Sequence, residues 1–310
     1  MHSFWITVFT PTFNRSEQLK KLYNSLINQS DQRFVWLIVD DGSADNTAEL
    51  VSSWKYEGKI SIQYIYQENL GKHVAHNTGV KNANTEYFYC VDSDDTLPNS
   101  AIEFIYEAIT DTLTRPDIAG LIAKKGYHSG EDMCSKLPDN ISEVSIRDIY
   151  KVYKLKGELA LVFKTVVLKE FLFPVFPVEK FVTESVILDL ISIKYKMKLL
   201  NKVIYLGEYM PDGYTYNLRQ IHKKAPMGYH YYLVQGIELA RTTHELKHAY
   251  ANYISGCWKI GYRVRLSYKY IVMNLPEAIV LYMKLIIKDK MAKSKFFRLI
   301  LKQVFKAKFL

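Results

Sequence analysis

The amino-acid sequence predicts an α/β protein: a mostly parallel central sheet flanked by helices, with a helical extension at its C-terminal end. Three observations carry this reading. Over the first 95 residues apolar runs alternate with amphipathic segments, the pattern of strands and helices joined by right-handed crossovers. The first two runs are almost continuously apolar, as expected of strands covered on both faces. Each of the first four runs ends in a polar cluster, and parallel sheets bind ligands outside the carboxyl ends of their strands.

The elements follow in order. Residues 4–9, 34–39, 60–66 and 87–91 read as strands, and 17–28, 47–53 and 72–81 as helices. Residues 99–109 read as a helix after Pro98, 118–123 and 158–163 as strands, 183–194 as a helix and 199–206 as a strand. From Ala225 onward the pattern is mainly helical, and a soft boundary falls near residue 220.

Composition narrows the class. The 310 residues are 48% hydrophobic and 24% charged, which supports a sizeable core and excludes disorder. Three widely spaced cysteines, Cys90, Cys134 and Cys257, form no CxxC pair. Zinc ribbons and redox pairs drop out, and a reducing compartment fits best. No secretion signal is expected at the N-terminus. Residues 270–287 are apolar but broken by Asn274, Pro276, Glu277 and Lys284, so they make a poor membrane span.

The net charge of +9 is concentrated at one end: residues 288–310 hold eight basic residues against Asp289 alone. Lys295, Arg298, Lys302 and Lys306 share one helical face, while Phe297, Ile300, Leu301, Val304 and Phe305 recur on the other. A basic amphipathic helix of this type lies in an anionic membrane surface. The plainer alternative is a terminal helix packing on the body. Nucleic acid is not an expected partner, because the basic patch is confined to the tail and no recognition motif accompanies it. The expected location is the cytoplasm, peripheral on the inner face of the cell membrane.

The polar strand ends hold the chemistry. Thr10-Pro11-Thr12-Phe13-Asn14-Arg15 follows the first run, Asp40-Asp41-Gly42 the second, Glu68-Asn69-Leu70-Gly71-Lys72 the third and Asp92-Ser93-Asp94-Asp95 the fourth. Four such ends on one rim describe a ligand crevice better than four helix caps. Asp92 and Asp94, alternating after a strand, can turn two carboxylates toward one point, and carboxylate oxygens suit Mg²⁺ or Mn²⁺ bridging to phosphates. Asp40 and Asp41 can accept hydrogen bonds from a base or ribose edge. No GxGxxG and no GxxxxGK[ST] is present, so a dinucleotide fingerprint and a P-loop are excluded.

At this point the chain resembles the inverting family 2 glycosyltransferases of the GT-A fold, which serve bacterial capsule, exopolysaccharide and lipopolysaccharide synthesis. The matching segments are TPTFNR (10–15), VDDGSADNT (39–47), ENLGKHVAHNTGV (68–80) and VDSDDTL (91–97). The resemblance is strong over residues 3–100, looser to about 240, and covers nothing nameable beyond. It implies a catalytic domain over 1–220, in which 1–100 binds the nucleotide sugar and 101–220 the acceptor, followed by a helical region over 221–310.

It implies a donor that is a nucleotide sugar, most often UDP-linked, and a saccharide acceptor, lipid-linked where a membrane-seeking tail is present. Thr10, Pro11, Asn14, Arg15, Asp40, Asp41, Lys72, Asn77, Asp92 and Ser93 would line the donor pocket, with Asp41 near the uracil or ribose. Asp94 would hold Mn²⁺ or Mg²⁺ on the diphosphate. Family members carry a Glu-Asp pair at a helix start beyond the DxD; here Thr183-Glu184 occupies that place, which makes Glu184 the expected general base and Glu179 the fallback. The helix-start position alone would also explain Glu184, since negative charge is favoured there.

Arg219, His222 and Lys223, with Lys224, are basic residues that could close over the diphosphate as a mobile loop; a solvated basic loop is the alternative. His73 and His76 read as pocket-wall or structural residues. Two rivals remain: a membrane-bound scaffold that keeps the fold without the chemistry, which the altered Glu-Asp motif permits, and a haloacid-dehalogenase-type phosphatase, whose DxDxT Asp92–Thr96 imitates. The phosphatase reading lacks the later acidic pair and puts the motif on the wrong strand. Dimer formation through the helical stretch is open.

Overall fold

The computed structural model describes residues 4–209 and 214–262. Among them the chain runs β1 (Ile6–Thr12), α1 (Ser16–Ile27), β2 (Phe34–Asp40), α2 (Thr47–Glu57), β3 (Ser61–Tyr66), α3 (Lys72–Asn82), β4 (Tyr87–Cys90) and α4 (Ala101–Ile109). It continues through β5 (Ile118–Gly126), β6 (Glu143–Val144), α5 (Ile146–Lys151), β7 (Leu159–Lys164), α6 (Thr165–Glu170), α7 (Ser185–Lys194) and β8 (Lys196–Leu206). Three helices follow: α8 (Tyr214–Lys224), α9 (Pro226–Glu238) and α10 (Thr243–Ile260).

The strands form one sheet in the order β3-β2-β1-β4-β7-β5-β8-β6. β1 to β4 are parallel, β7 is antiparallel to β4 and β5, β8 is parallel to β5, and β6 is antiparallel to β8. The mostly parallel sheet expected from the alternating pattern is therefore present. The chain moves outward from β1 to β3, then places β4 on the other side of β1. Strand order reverses between β1 and β4, and a crevice opens at such a reversal.

The apolar runs bury alternate residues on the two faces. Trp36 and Ile38 of β2 join Leu19, Leu22, Leu26, Val51 and Trp54 on the face covered by α1 and α2. Leu37 and Val39 of the same strand join Phe9, Ala75, Val80 and Phe88 on the face covered by α3. Side chains of successive strand residues point to opposite faces, so a strand buried on both sides must be apolar at every position.

β1 runs two residues beyond a polar Thr10 to include Pro11, although the sequence pattern ends it at Phe9. Pro11 is tolerated because pairing to β4 stops at Phe9↔Cys90, while Asp41 N still donates to Thr12 O on the β2 side. The missing N–H of proline falls where no ladder bond is made. The basic segment expected as a loop, 219–224, is instead the last part of helix α8. β8 starts three residues earlier than its apolar run, and α7 starts two residues later than its pattern.

Contacts divide the chain into two units after Gly228, inside α9. In the second unit Leu233, Tyr253, Ile254 and Cys257 pack together. α10 is capped by Thr242, whose Oγ1 accepts from Glu245 N at 3.1 Å, and ends at Gly261 in the left-handed region, φ 74°. No helix among the described residues is long and apolar enough to cross a membrane. The basic tail, 288–310, lies outside the described residues.

Candidate active site

The site assembles at the carboxyl ends of β1 and β4. β4 delivers Asp92-Ser93-Asp94-Asp95 as a loop, and a tyrosine from β8 holds that loop. The Tyr205 hydroxyl accepts from Asp92 N at 3.0 Å and donates to Asp95 Oδ2 at 2.6 Å. Lys125 Nζ lies 4.1 Å from the centre of the Tyr205 ring, a cation–π contact. Burial, then the charge of Asp92, pushes the Asp95 carboxyl up to about 7. Tyr205 and Lys125 carry no local sequence signal; they reach the site only through strand pairing.

Lys72, in the first turn of α3, binds two carboxylates at once. Its Nζ is 2.8 Å from Asp92 Oδ1 and 3.1 Å from Glu184 Oε1. Burial disfavours its charge, but Asp92 and Glu184 outweigh that and raise its pKa well above the ordinary lysine value. Lys72 in turn holds the Glu184 carboxyl below the usual carboxylate range. Asp92 is also lowered, Lys72 overcoming the opposing effect of burial. Glu184 is the N-cap residue of α7 but makes no side-chain cap bond; its carboxylate is exposed and turned to Lys72 instead.

Arg15 and Asp94 face each other across the strand-order reversal, Nη1 to Oδ2 at 2.8 Å, each side chain about one-quarter exposed. No group of three or more His, Cys, Asp or Glu side chains arranged to hold a metal occurs among the described residues. A magnesium-type cation on a diphosphate needs only one or two protein carboxylates, its other positions being filled by phosphate oxygens and water. Asp94 lies at the rim with its side chain about one-quarter exposed and one oxygen, Oδ2, paired with Arg15.

Several residues expected to touch the donor face inward. Asp40 is buried and both its oxygens are used, Oδ1 by Ser43 N at 2.8 Å and Oδ2 by Tyr64 OH at 2.6 Å. Asp41 accepts from Gln67 Nε2, Leu70 N and Gly71 N, and so shapes the loop that leads to Lys72. Thr10 is buried, its Oγ1 accepting from Trp36 Nε1 at 3.0 Å. Asn77 Nδ2 donates to Phe173 O and its Oδ1 accepts from Phe173 N, both at 2.8 Å, fastening α3 to the segment before α7.

Asn14, at φ 51°, joins two strand ends: its N–H donates to Ser43 Oγ and its Oδ1 accepts from Ala44 N. Pro11 and Ser93 are buried. Glu179 is withdrawn from base chemistry, because its two oxygens accept from Met227 N and Gly228 N at the start of α9. Arg219 and Lys223 are exposed on helix α8, and the His222 ring lies 5.9 Å from that of Phe181.

A cleft of about 910 Å³, solvent at its mouth included, opens beside Lys72, Asp92 and Glu184. Its inner walls are apolar, with Phe88, Phe163, Leu168 and Phe173 among them, and His73 and His76 line it as the sequence suggested. Burial lowers both imidazoles, His76 to about 4. They are neutral wall residues at physiological pH.

Residues 7–127 match the model of the family described as Glycosyl transferase family 2. Glycosyltransferase GlyA of Streptococcus pneumoniae is 30% identical over 165 residues, 49% of this chain and 22% of that protein. Poly(ribitol-phosphate) beta-N-acetylglucosaminyltransferase TarP of Staphylococcus aureus is 34% identical over 103 residues, 33% of this chain and 32% of its own length. The chain thus spans less than a third of the length of either relative.

Among solved structures, S. aureus TarS is similar with a TM-score of 0.55 at 20% identity, over 86% of this chain and 46% of that one. The mannosyltransferase PcManGT of Pyrobaculum calidifontis, in complex with GDP-Man and Mn²⁺, gives 0.53 at 17% identity over 98% and 80%. These likenesses confirm the GT-A fold. The matched segment carries β1, β2, the Lys72 helix and the Asp92–Asp95 loop, and over residues 7–127 the chain is similar to the family 2 glycosyltransferases.

Proposed function

We propose that the protein is an inverting glycosyltransferase that moves a sugar from a nucleotide-diphosphate donor, most simply a UDP-sugar, to a hydroxyl of a saccharide acceptor. The observation that carries the proposal is the convergence of Asp92 and Glu184 on Lys72. A carboxylate from the DxD loop and a carboxylate from a helix start more than ninety residues later share one cation at the mouth of one cleft. A scaffold without chemistry has no need of that arrangement.

In the reaction the acceptor oxygen attacks C1 of the donor sugar from the face opposite the leaving group. The C1–oxygen bond forms as the C1–phosphate oxygen bond breaks, and the nucleoside diphosphate departs with the electron pair. Glu184, ionised and exposed, takes the acceptor proton. Asp92 is placed to meet the ribose or the sugar. Asp94 is the residue to hold a divalent cation, Mn²⁺ or Mg²⁺, whose chemistry when bound is neutralisation of the departing diphosphate. Lys72 and Arg15 add positive charge at the same rim.

Names of similar proteins support this reading. TarP is named for N-acetylglucosaminyl transfer to poly(ribitol-phosphate), and the mannosyltransferase binds GDP-Man with Mn²⁺. The basic amphipathic pattern of residues 288–310 supports a peripheral position on an anionic membrane and, with it, a lipid-linked acceptor.

The test is nucleotide release from a panel of UDP-, GDP- and dTDP-sugars, with Mn²⁺ and with EDTA, in the parent and in Glu184→Gln. Metal-dependent release from one donor, reduced about 10²–10⁴-fold in transfer by Glu184→Gln with donor binding retained, is expected. Absence of both release and nucleotide binding would overturn the proposal. Deleting residues 288–310 is expected to abolish flotation with anionic vesicles; unchanged flotation would assign the tail to packing.

A further inference from the structure

The second unit holds a pair of imidazoles that the transfer chemistry does not use. α10 begins Thr243-His244-Glu245-Leu246-Lys247-His248, which puts the two histidines one helical turn apart on the same face. Both are exposed. Their Nε2 atoms lie 3.2 Å apart, with ring centroids at 4.5 Å.

We propose that His244 and His248 form a surface site for a divalent transition-metal ion of the zinc, nickel or copper class. The geometry sets the argument. Zinc sits about 2.0–2.1 Å from an imidazole nitrogen. An ion at that distance from both Nε2 atoms, which are 3.2 Å apart, would see them at roughly 100°. That lies between the angles of octahedral and tetrahedral coordination, so the spacing of the two nitrogens matches that of ligands sharing one ion, which would replace the proton between them. Imidazole nitrogens select borderline transition ions over magnesium and calcium, which prefer oxygen. The site is therefore chemically separate from a cation held by Asp94.

The same five residues read His-Glu-x-x-His, a pattern that in metalloproteases adds a glutamate base to a zinc-binding pair. That chemistry does not fit here. Glu245 Oε2 accepts from Arg241 N at 2.9 Å and its other oxygen faces Arg241 Nη2 at 3.8 Å, so it serves the start of the helix. No third His, Cys, Asp or Glu joins the pair among the described residues. The remaining positions on the ion fall to water or to an outside ligand, which makes this a binding site and not a hydrolytic one.

The experiment is a calorimetric titration of Zn²⁺ into the full chain with Mg²⁺ in excess, using the parent, His244→Ala and His248→Ala. The parent is expected to show a zinc component that Mg²⁺ does not compete away and that each variant weakens on the order of tenfold or more. Cu²⁺ bound to the parent should show nitrogen couplings in its paramagnetic resonance spectrum that each variant reduces. No zinc component in the parent, or one that both variants retain at full affinity, would overturn the site and leave the pair as a hydrogen-bonded contact. Nucleotide release from the donor panel reads Glu184 and Asp94, so the two readings fail independently.

Discussion

Lys72 Nζ sits 3.1 Å from Glu184 Oε1, although 112 residues separate them in the chain. A glutamate at a helix start can satisfy itself by capping the helix, and Glu184 does not. Its carboxylate is instead held by an ammonium that also holds the DxD loop. The pairing keeps the Glu184 carboxylate ionised to lower pH, at some loss of its strength as a proton acceptor.

That trade predicts the effect of Lys72→Met. Lys72 is the main cause of the lowered Glu184 pKa, so its removal raises that pKa toward the ordinary value. The acid limb of the pH–rate profile, where the base becomes protonated, should then move to higher pH. The position of the limb in kcat/KM against pH is the measurement, since the height will also fall if Lys72 touches the donor. An unmoved limb would mean that Glu184 is not the group that titrates.

The Arg15–Asp94 ion pair makes a second prediction. Arg15 occupies an oxygen that a cation would use, so the two compete for Asp94. Partly exposed pairs of this kind are worth about 0.2–1 kcal/mol, which corresponds to at most about a fivefold change in affinity. Arg15→Ala should lower the Mn²⁺ concentration for half-maximal activation by up to that factor. Asp94→Ala should abolish the metal response altogether. Metal activation in Asp94→Ala equal to that of the parent would place the cation elsewhere.

These residues also show what a sequence can and cannot disclose. The sheet, the polar strand ends, Asp92 and Asp94 are legible because each rests on a local pattern of apolar period and punctuation, whereas Glu184 is singled out only by the resemblance of Thr183-Glu184 to the family's Glu-Asp position. Asp40, Asp41 and Asn77 look the same as ligand-binding residues in sequence. Whether such a side chain faces solvent or a neighbouring backbone amide is decided by strand register and loop path, and here all three face inward. Tyr205 is invisible for the same reason: a tyrosine in β8 meets Asp92 only because β8 lies across the sheet from β4. Residues 219–224 read as a loop because charges interrupt their pattern, yet α8 forms through them.

Gly71 supplies a third prediction. Its φ is 99°, and a Cβ there would lie 2.1 Å from Lys180 O and 2.5 Å from Lys180 C. Its N–H also donates to Asp41 Oδ2 at 2.8 Å. Gly71→Ala thus combines a strained backbone with a clash against the segment that leads to Glu184, at a cost of about 1–3 kcal/mol from the strain alone. Gly58, at φ 65° with its nearest neighbouring atom 4.0 Å away, is the control for conformation without a clash. Denaturant midpoints should fall further for Gly71→Ala than for Gly58→Ala, and only the former should depress transfer. Equal losses in both would show that the Lys180 backbone yields.

His76 closes the set through stability. The ring packs edge-on against Phe9, Phe88 and Phe173, and its Nδ1 is buried without a hydrogen-bond partner. Burial lowers its pKa from 6.5 to about 4. As pH falls between those values the unfolded chain takes up a proton that the folded chain refuses, so stability falls with pH across that window. The stabilisation is complete above about 6.5 and is lost progressively toward 4, up to about 3 kcal/mol for a shift of this size. His76→Gln removes the titrating group, so its unfolding free energy should decline less steeply than that of the parent between pH 6.5 and 4.5. Denaturant unfolding at several pH values gives both slopes, and parallel slopes would show that His76 protonates without cost in the folded state.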